Sequence, residues 1–352
     1  MTENDRILTA TVVKHTGSHY LLALLPDFTP FPAVTRGKVR LQKSKATNPI
    51  AVGDRVECLL PGEGIGSATL TEPAVITRIL PRDNYIIRRS TNLSREAHVI
   101  AANVDRAFII VTLAFPEVKL PFLDRLLVTC GVYGIPATIV LNKVDLLRTL
   151  ACSADAATEE TLSCNAEETL SCDAEEFISS FRSIYEAAGY PVIMTSVKTG
   201  EGIDQLRAAM STGRDGAGGF GINLLSGVSG VGKSSLIHAL DPSLTPRTGK
   251  ISEAHLQGKH TTTFYEMYPL SSGGFIIDTP GIRSFGLLDL EAEEIYKYFP
   301  EMLEASRNCR FTPCTHTHEP HCAVKAAVEE GTISAERYNS YLGMLEDQKK
   351  YR

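Results

Sequence analysis

The chain has 352 residues, 43% of them hydrophobic and 22% charged. That usage excludes a mostly disordered polypeptide and leaves room for two or three domains. No apolar run approaches the about 20 residues of a membrane helix; the longest early one is Tyr20–Leu25. The polar, acidic start Met1–Arg6 does not read as a signal peptide. A soluble, cytoplasmic protein without a membrane partner is expected. The formal net charge of −6 speaks, taken alone, against a nucleic-acid partner.

Residues 1–84 read as short strands separated by Gly, Pro, Asn and Asp. Candidates are Ile7–Val13, Tyr20–Leu25, Gly37–Leu41, Arg55–Leu60 and Ala74–Ile79. Five short strands in such a span suit a small OB-type β-barrel. Between them, Arg36–Lys45 holds five basic residues and no acid. Such a strip can track RNA phosphates; a solvated edge strand guarded by lysines is the alternative. From Arg106 the pattern changes to continuous apolar runs alternating with helices: Phe108–Thr112, Thr138–Leu141, Val192–Thr195, Ile222–Leu225 and Phe275–Ile277. Parallel strands covered on both faces look like this, so residues 85–288 read as an α/β domain.

Into that domain falls an acidic segment, about 151–176. Ala157–Cys164 is nearly duplicated by Asn165–Cys172, and Asp173–Glu176 begins a third copy. It reads as a low-complexity insertion on a loop or solvated helix. No Lys or Arg lies between Arg148 and Arg182, while eight acids do, and setting those eight aside leaves the remainder slightly basic. The total charge therefore does not exclude an RNA partner.

Gly227-Val228-Ser229-Gly230-Val231-Gly232-Lys233-Ser234 fits the phosphate-loop pattern. Its glycines permit a tight loop whose N–H groups converge on phosphate oxygens. Lys233 reaches the outer phosphates and the Ser234 hydroxyl suits Mg²⁺, while Ser235 opens the helix that follows an apolar strand. Asn142-Lys143-Val144-Asp145 ends another apolar run. An Asp there accepts two hydrogen bonds from guanine N1–H and its exocyclic amine, which adenine does not offer. Ser196, Val197 and Lys198 close a further strand, where a hydroxyl and backbone N–H groups suit the guanine carbonyl. Asp278-Thr-Pro-Gly281 supplies a turn for Mg²⁺ and the γ-phosphate. The implied ligands are GTP and GDP with Mg²⁺.

After about Leu288 the chain looks helical. It carries Cys309, Cys314 and Cys322 with His316, His318 and His321 nearby. Three soft thiolates and one imidazole suit tetrahedral Zn²⁺ in a closed, structural site. A disulfide framework does not suit a chain of this size without a secretion signal.

The guanine-reading segments precede the phosphate loop, the reverse of the usual GTPase order, so the domain is circularly permuted. With the barrel and the Cys/His cluster, nearly the whole chain resembles the ribosome small-subunit-dependent GTPase A family (RsgA, also called YjeQ). The acidic insertion has no evident counterpart there. The resemblance implies three domains: a 1–84 OB barrel binding RNA, an 85–288 permuted GTPase domain and a 289–352 zinc-bearing helical domain. It selects Cys309, Cys314, His316 and Cys322 as zinc ligands. It also places a catalytic His at His260, with switch segments at 258–263 and 278–286. Ile282, after Asp278–Gly281, cannot orient water, so slow free turnover and ribosome stimulation are expected. Thr262 is the expected switch ligand for Mg²⁺, with Thr261 beside it. The implied partner is the small ribosomal subunit and its rRNA, bound by a monomer during late maturation. A large-subunit assembly GTPase, or a nucleotide-gated RNA-binding module with incidental hydrolysis, are the alternatives.

Overall fold

A computed structural model describes residues 7–16, 19–35, 50–89, 97–153, 166–213, 219–244, 265–278 and 290–350. The basic strip 36–45 and the switch positions Lys259, His260, Thr261, Thr262, Gly281, Ile282 and Arg283 lie outside the described residues.

Strands β1 (Ile7–Thr16), β2 (His19–Ala23), β3 (Phe31–Thr35), β4 (Arg55–Leu59) and β5 (Ala74–Ile79) form the N-terminal barrel. Their order is β1-β2-β3-β5-β4, and β4 closes back onto β1. Alternate residues point inward, so Val12, Leu22, Ala33, Val56 and Ile76 form a fully buried core. Strand β3 was not among the expected strands, and the candidate strand at Gly37–Leu41 lies outside the described residues. A hairpin of β6 (Tyr85–Arg89) and β7 (Ala97–Ala102) follows, also unanticipated. It meets the barrel through the bridge Val52↔Ala101. There Gly53 (φ +90°) is required, since a Cβ would lie 2.0 Å from the Ala102 carbonyl oxygen.

The α/β domain contains β8 (Arg106–Val111), β9 (Ala137–Asn142), β10 (Val192–Thr195), β11 (Ile222–Ser226), β12 (Glu266–Pro269) and β13 (Phe275–Asp278). They run β10-β9-β8-β11-β13-β12, parallel except for β12. Helices α1 (Leu120–Val132), α2 (Val144–Ser153), α3 (Ala166–Ala187), α4 (Ile203–Ser211) and α5 (Lys233–Leu240) accompany them. Both sheet faces are covered, which is why these strands are almost uninterrupted Ile, Val, Leu and Phe. Strand β12 also pairs with β1, so barrel and domain share one eleven-stranded sheet. Of the acidic insertion, its end begins α3, where Ala174 is buried and Glu175 pairs with Arg148.

The C-terminal part packs a 3-10 helix (Ala292–Tyr298) with α6 (Pro300–Ser306), α7 (Ala323–Glu329) and α8 (Ala335–Lys350) around Ile295, Phe299, Met302, Val324 and Tyr341. It is docked on α1. Arg337 of α8, 1% exposed, donates to Asp124 of α1 at 2.6 Å and to Glu301. Its guanidinium also lies over the rings of Tyr185, Tyr190 and Phe299. Among the described residues no helix is long and apolar enough to cross a membrane.

Candidate nucleotide site and metal centre

Parallel strands end on one edge of an α/β sheet, and a crevice there is where such folds take ligands. Strands β9, β10, β11 and β13 bring Asn142, Ser196, Gly227 and Asp278 to that edge. The loop Gly227–Gly232 passes directly from β11 into α5, so its amides sit at a helix N-terminus. Two glycines are dictated by close approach. A Cβ on Gly227 would stand 2.4 Å from the Ile110 carbonyl oxygen, and one on Gly232 (φ +94°) 2.5 Å from Asn142 Nδ2.

Asn142 explains the second contact. Its buried Nδ2 donates to the Val231 carbonyl at 2.8 Å, and its Oδ1 accepts from Thr195 Oγ1 at 3.0 Å. One side chain thus ties β9 and β10 to the phosphate loop. Lys143 Nζ donates to the carbonyls of Gly230 and Phe115, each at 2.7 Å. Asp145 accepts from Ser196 Oγ at 2.6 Å, which fixes the carboxylate beside the turn that carries Val197 and Lys198. Those two residues and Ser235 are exposed, as are Ser229 and Gly230 of the loop; Val228 and Ser234 are half-buried.

Lys233 Nζ bonds the Gly227 and Val228 carbonyls at 2.6 and 2.9 Å, curling over the loop. Burial pushes this lysine below its ordinary value, and the Asp278 carboxylate opposes that shift. Desolvated cations of this kind are poised for a multiply charged anion. The Ser234 hydroxyl, in the first turn of α5, and the Asp278 carboxylate, at the end of β13 beside β11, are hard oxygen donors of the kind that fits Mg²⁺. Hydrogen bonds link Asn142 and Lys143 to the phosphate loop and Asp145 to Ser196, with Asp278 on the strand beside β11; His260, Thr262 and Gly281 are outside the described residues.

Sequence reasoning missed the segment after β8. Pro116 lies 3.3 Å from where a Gly230 Cβ would be, the Pro116 carbonyl accepts from Thr112 Oγ1, and Phe115 contributes its carbonyl to Lys143. A strand-end position beside the phosphate loop was the available signal.

The metal centre lies in a single loop. Cys309, Cys314, His316 and Cys322 place their ligand atoms within 4.8 Å of one another. A tetrahedral Zn²⁺ with bonds of about 2.3 Å to sulfur and about 2.0 Å to nitrogen requires S···S edges of about 3.8 Å and S···N edges of about 3.5 Å. The Cys309–Cys322 and Cys314–Cys322 sulfurs are 3.9 and 3.8 Å apart. His316 Nδ1 lies 3.6 Å from Cys309 and 3.4 Å from Cys322. The residues fit the ion, with Nδ1 facing the thiols. Burial pushes the Cys314 thiol up to about 12 and raises Cys322 as well, so thiolates here need a cation. Tyr338 and Tyr341 hydroxyls donate to the His316 and Thr315 carbonyls at 2.6 and 2.7 Å, holding the loop. His318 and His321 are not in the cluster.

The chain matches the RsgA GTPase family over residues 79–170 and 148–288. Small ribosomal subunit biogenesis GTPase RsgA of Bacteroides fragilis is 43% identical over 97% of this chain and 98% of its own length. The protein of the same name from Porphyromonas gingivalis is also 43% identical, covering 97% of each. In three dimensions, YjeQ from Thermotoga maritima superposes with a TM-score of 0.71 at 30% identity, over 98% of this chain and all of that one. YloQ, a circularly permuted GTPase, gives 0.67 at 25% identity, over 100% and 98%. Family, full-length relatives and sheet order agree, and the chain belongs to the RsgA family of circularly permuted GTPases.

Proposed function

We propose that this GTPase couples GTP hydrolysis to late maturation of the small ribosomal subunit. The relatives' name, small ribosomal subunit biogenesis GTPase, supports that partner. The observation that carries the nucleotide assignment is that Asn142, at the end of β9, bonds the phosphate loop, while Asp145 just beyond it bonds Ser196 at the end of β10. In this reading Asp145 and Ser196 read guanine, Lys233 and the loop amides hold phosphates, and Ser234, Asp278 and Thr262 attend Mg²⁺. His260 orients the attacking water, a task that Ile282 cannot perform. Cys309, Cys314, His316 and Cys322 hold a structural Zn²⁺. The barrel (1–84) and the zinc domain (289–352) flank the GTPase domain (85–288) and dock a cytoplasmic monomer on rRNA, which stimulates turnover.

The test is GTP turnover by the full chain with purified small subunits, large subunits and neither. Small subunits alone should accelerate turnover, and His260→Ala should abolish most of that gain. Acceleration by large subunits only, or an unchanged rate in His260→Ala, overturns the respective assignment.

A further inference from the structure

Helix α1 belongs to two cores at once. Its Leu123, Leu126, Leu127 and Cys130 are buried in the α/β domain, while Val128 is buried in the C-terminal core. Among these apolar contacts sits a charged one: Asp124 of α1 and Arg337 of α8 are 0% and 1% exposed. Arg337 Nη1 donates to Asp124 Oδ1 at 2.6 Å, and its Nε and Nη2 donate to the two Glu301 oxygens of α6 at 2.5 and 3.1 Å. The Tyr185 hydroxyl of α3 donates to the same Asp124 oxygen at 3.2 Å. A second, partly exposed pair, Arg125 with Asp347, joins the same two helices. A planar fork with three bonds to two acids is satisfied in one orientation, and taking away one partner of a buried charge is strongly disruptive. The cluster therefore fixes how α8 sits on α1.

The same stretch of α8 reaches the metal centre. Tyr338 neighbours Arg337, and Tyr341 lies one helical turn on, on the face that carries Arg337. Their hydroxyls donate to the His316 and Thr315 carbonyls. Phe299 bridges the two ends: the Arg337 guanidinium lies 4.9 Å from the centre of its ring, and the ring meets Tyr341 edge-on at 5.9 Å. His316 itself stands at φ +55°, a left-handed conformation that residues bearing a side chain disfavour. A loop of this kind needs an outside hold, and the two hydroxyls supply one.

We propose that Asp124 and Arg337 are positioning residues for the metal centre: by seating α8 on α1 they aim Tyr338 and Tyr341 at the ligand loop, so the α/β domain tightens a zinc site to which it gives no ligand. This rests on the reading of Cys309, Cys314, His316 and Cys322 as zinc ligands. Zinc binding and folding are one free energy in such loops, so whatever orders the loop beforehand raises the affinity. Lifting the C-terminal helices off α1 would loosen the metal.

The experiment measures zinc affinity of the full chain by competition with a chromogenic chelator, with GDP affinity of the same sample reporting on the α/β domain. Asp124→Ala should weaken zinc binding about tenfold, within the range of coupling between distant sites, while GDP affinity stays at the wild-type value. Arg337→Lys keeps the buried charge but loses the fork, and should weaken zinc binding several-fold. In Tyr338→Phe/Tyr341→Phe, adding Asp124→Ala should cost less than about a further twofold, because the hydroxyls that carry the effect are gone. Wild-type zinc affinity in Asp124→Ala with GDP binding intact overturns the proposal. An equally large loss in the hydroxyl-free background also overturns it, because the seat would then act through overall stability. Should Asp124→Ala lose GDP binding, Arg337→Lys decides, and wild-type zinc affinity there overturns the proposal. A wild-type chain that binds no zinc would instead sink the reading of the metal centre.

Discussion

The metal centre and the nucleotide site are built on opposite plans. The four candidate metal ligands come from fourteen consecutive residues, Cys309–Cys322, and their ligand atoms lie within reach of one ion. The nucleotide site draws on Asn142, Ser196, Lys233 and Asp278, which meet only because separate parallel strands end on one sheet edge. Protein–protein hydrogen bonds such as Asn142 to Val231 hold that frame in place. At the metal centre such bonds hold the loop's backbone, from the Tyr338 and Tyr341 hydroxyls to the His316 and Thr315 carbonyls, while the ligand atoms converge on one point. His316 Nε2 is buried without a hydrogen-bond partner, and the thiols lie against one another and the imidazole. One site is organised by the fold, whereas the other helps to organise it.

Metal removal should therefore produce the largest effect. Binding energy of a structural zinc is folding energy, on the order of 10 kcal/mol in small zinc modules. Chelation, or Cys314→Ala, should abolish the cooperative unfolding of residues 290–350 and release about one zinc per chain, read by calorimetry and metal analysis. If the C-terminal helices keep their transition without metal, the contrast between the two sites collapses.

On the other side of the comparison, Asp145→Ala removes a charged acceptor from a frame that survives without it. Hydrogen bonds to charged groups contribute about 1.5–3 kcal/mol each, so GTP affinity should fall by roughly two to three orders of magnitude, read by nucleotide titration, while the melting temperature moves little. A comparable loss of stability would show that the ligand-reading residues also hold the fold together.

The same difference decides what could be read in advance. The Cys/His cluster was legible because its chemistry is local. The phosphate loop was legible for the same reason, and the apolar strands β8, β9, β10, β11 and β13 were close to their expected ranges. What escaped depends on partners far away in sequence. Strand β12 is four residues, half-polar and ending in Pro269, and it is a strand because β13 and β1 flank it. Hairpin β6–β7 lacks a clean alternation. Pro32 sits within β3, where a proline argues against a central strand. The bonds from Lys143 to Phe115 and from Lys14 to Glu266 join residues 28 and 252 positions apart, and no local pattern announces them.

The smallest effect concerns Asp241, just beyond α5, which shows how the frame around the nucleotide site is held. Its side chain, 3% exposed, accepts from Ser243 N and Oγ on one oxygen and from Ser271 N, in the β12–β13 turn, on the other. The Ser243 hydroxyl, with help from Ser271 and against burial, holds this carboxyl down to about 2. An unfolded Asp titrates near 3.9, so the depressed value adds stability above that pH and loses it as pH falls towards about 2. The shift amounts to at most about 2.6 kcal/mol. Asp241→Asn should lower stability to urea by about 1–2 kcal/mol between pH 5 and 7, and the gap from wild type should narrow below about pH 4. A gap independent of pH would mean that Asp241 holds α5 to the hairpin by shape rather than by charge. The frame would then be as indifferent to protons as its apolar strands are.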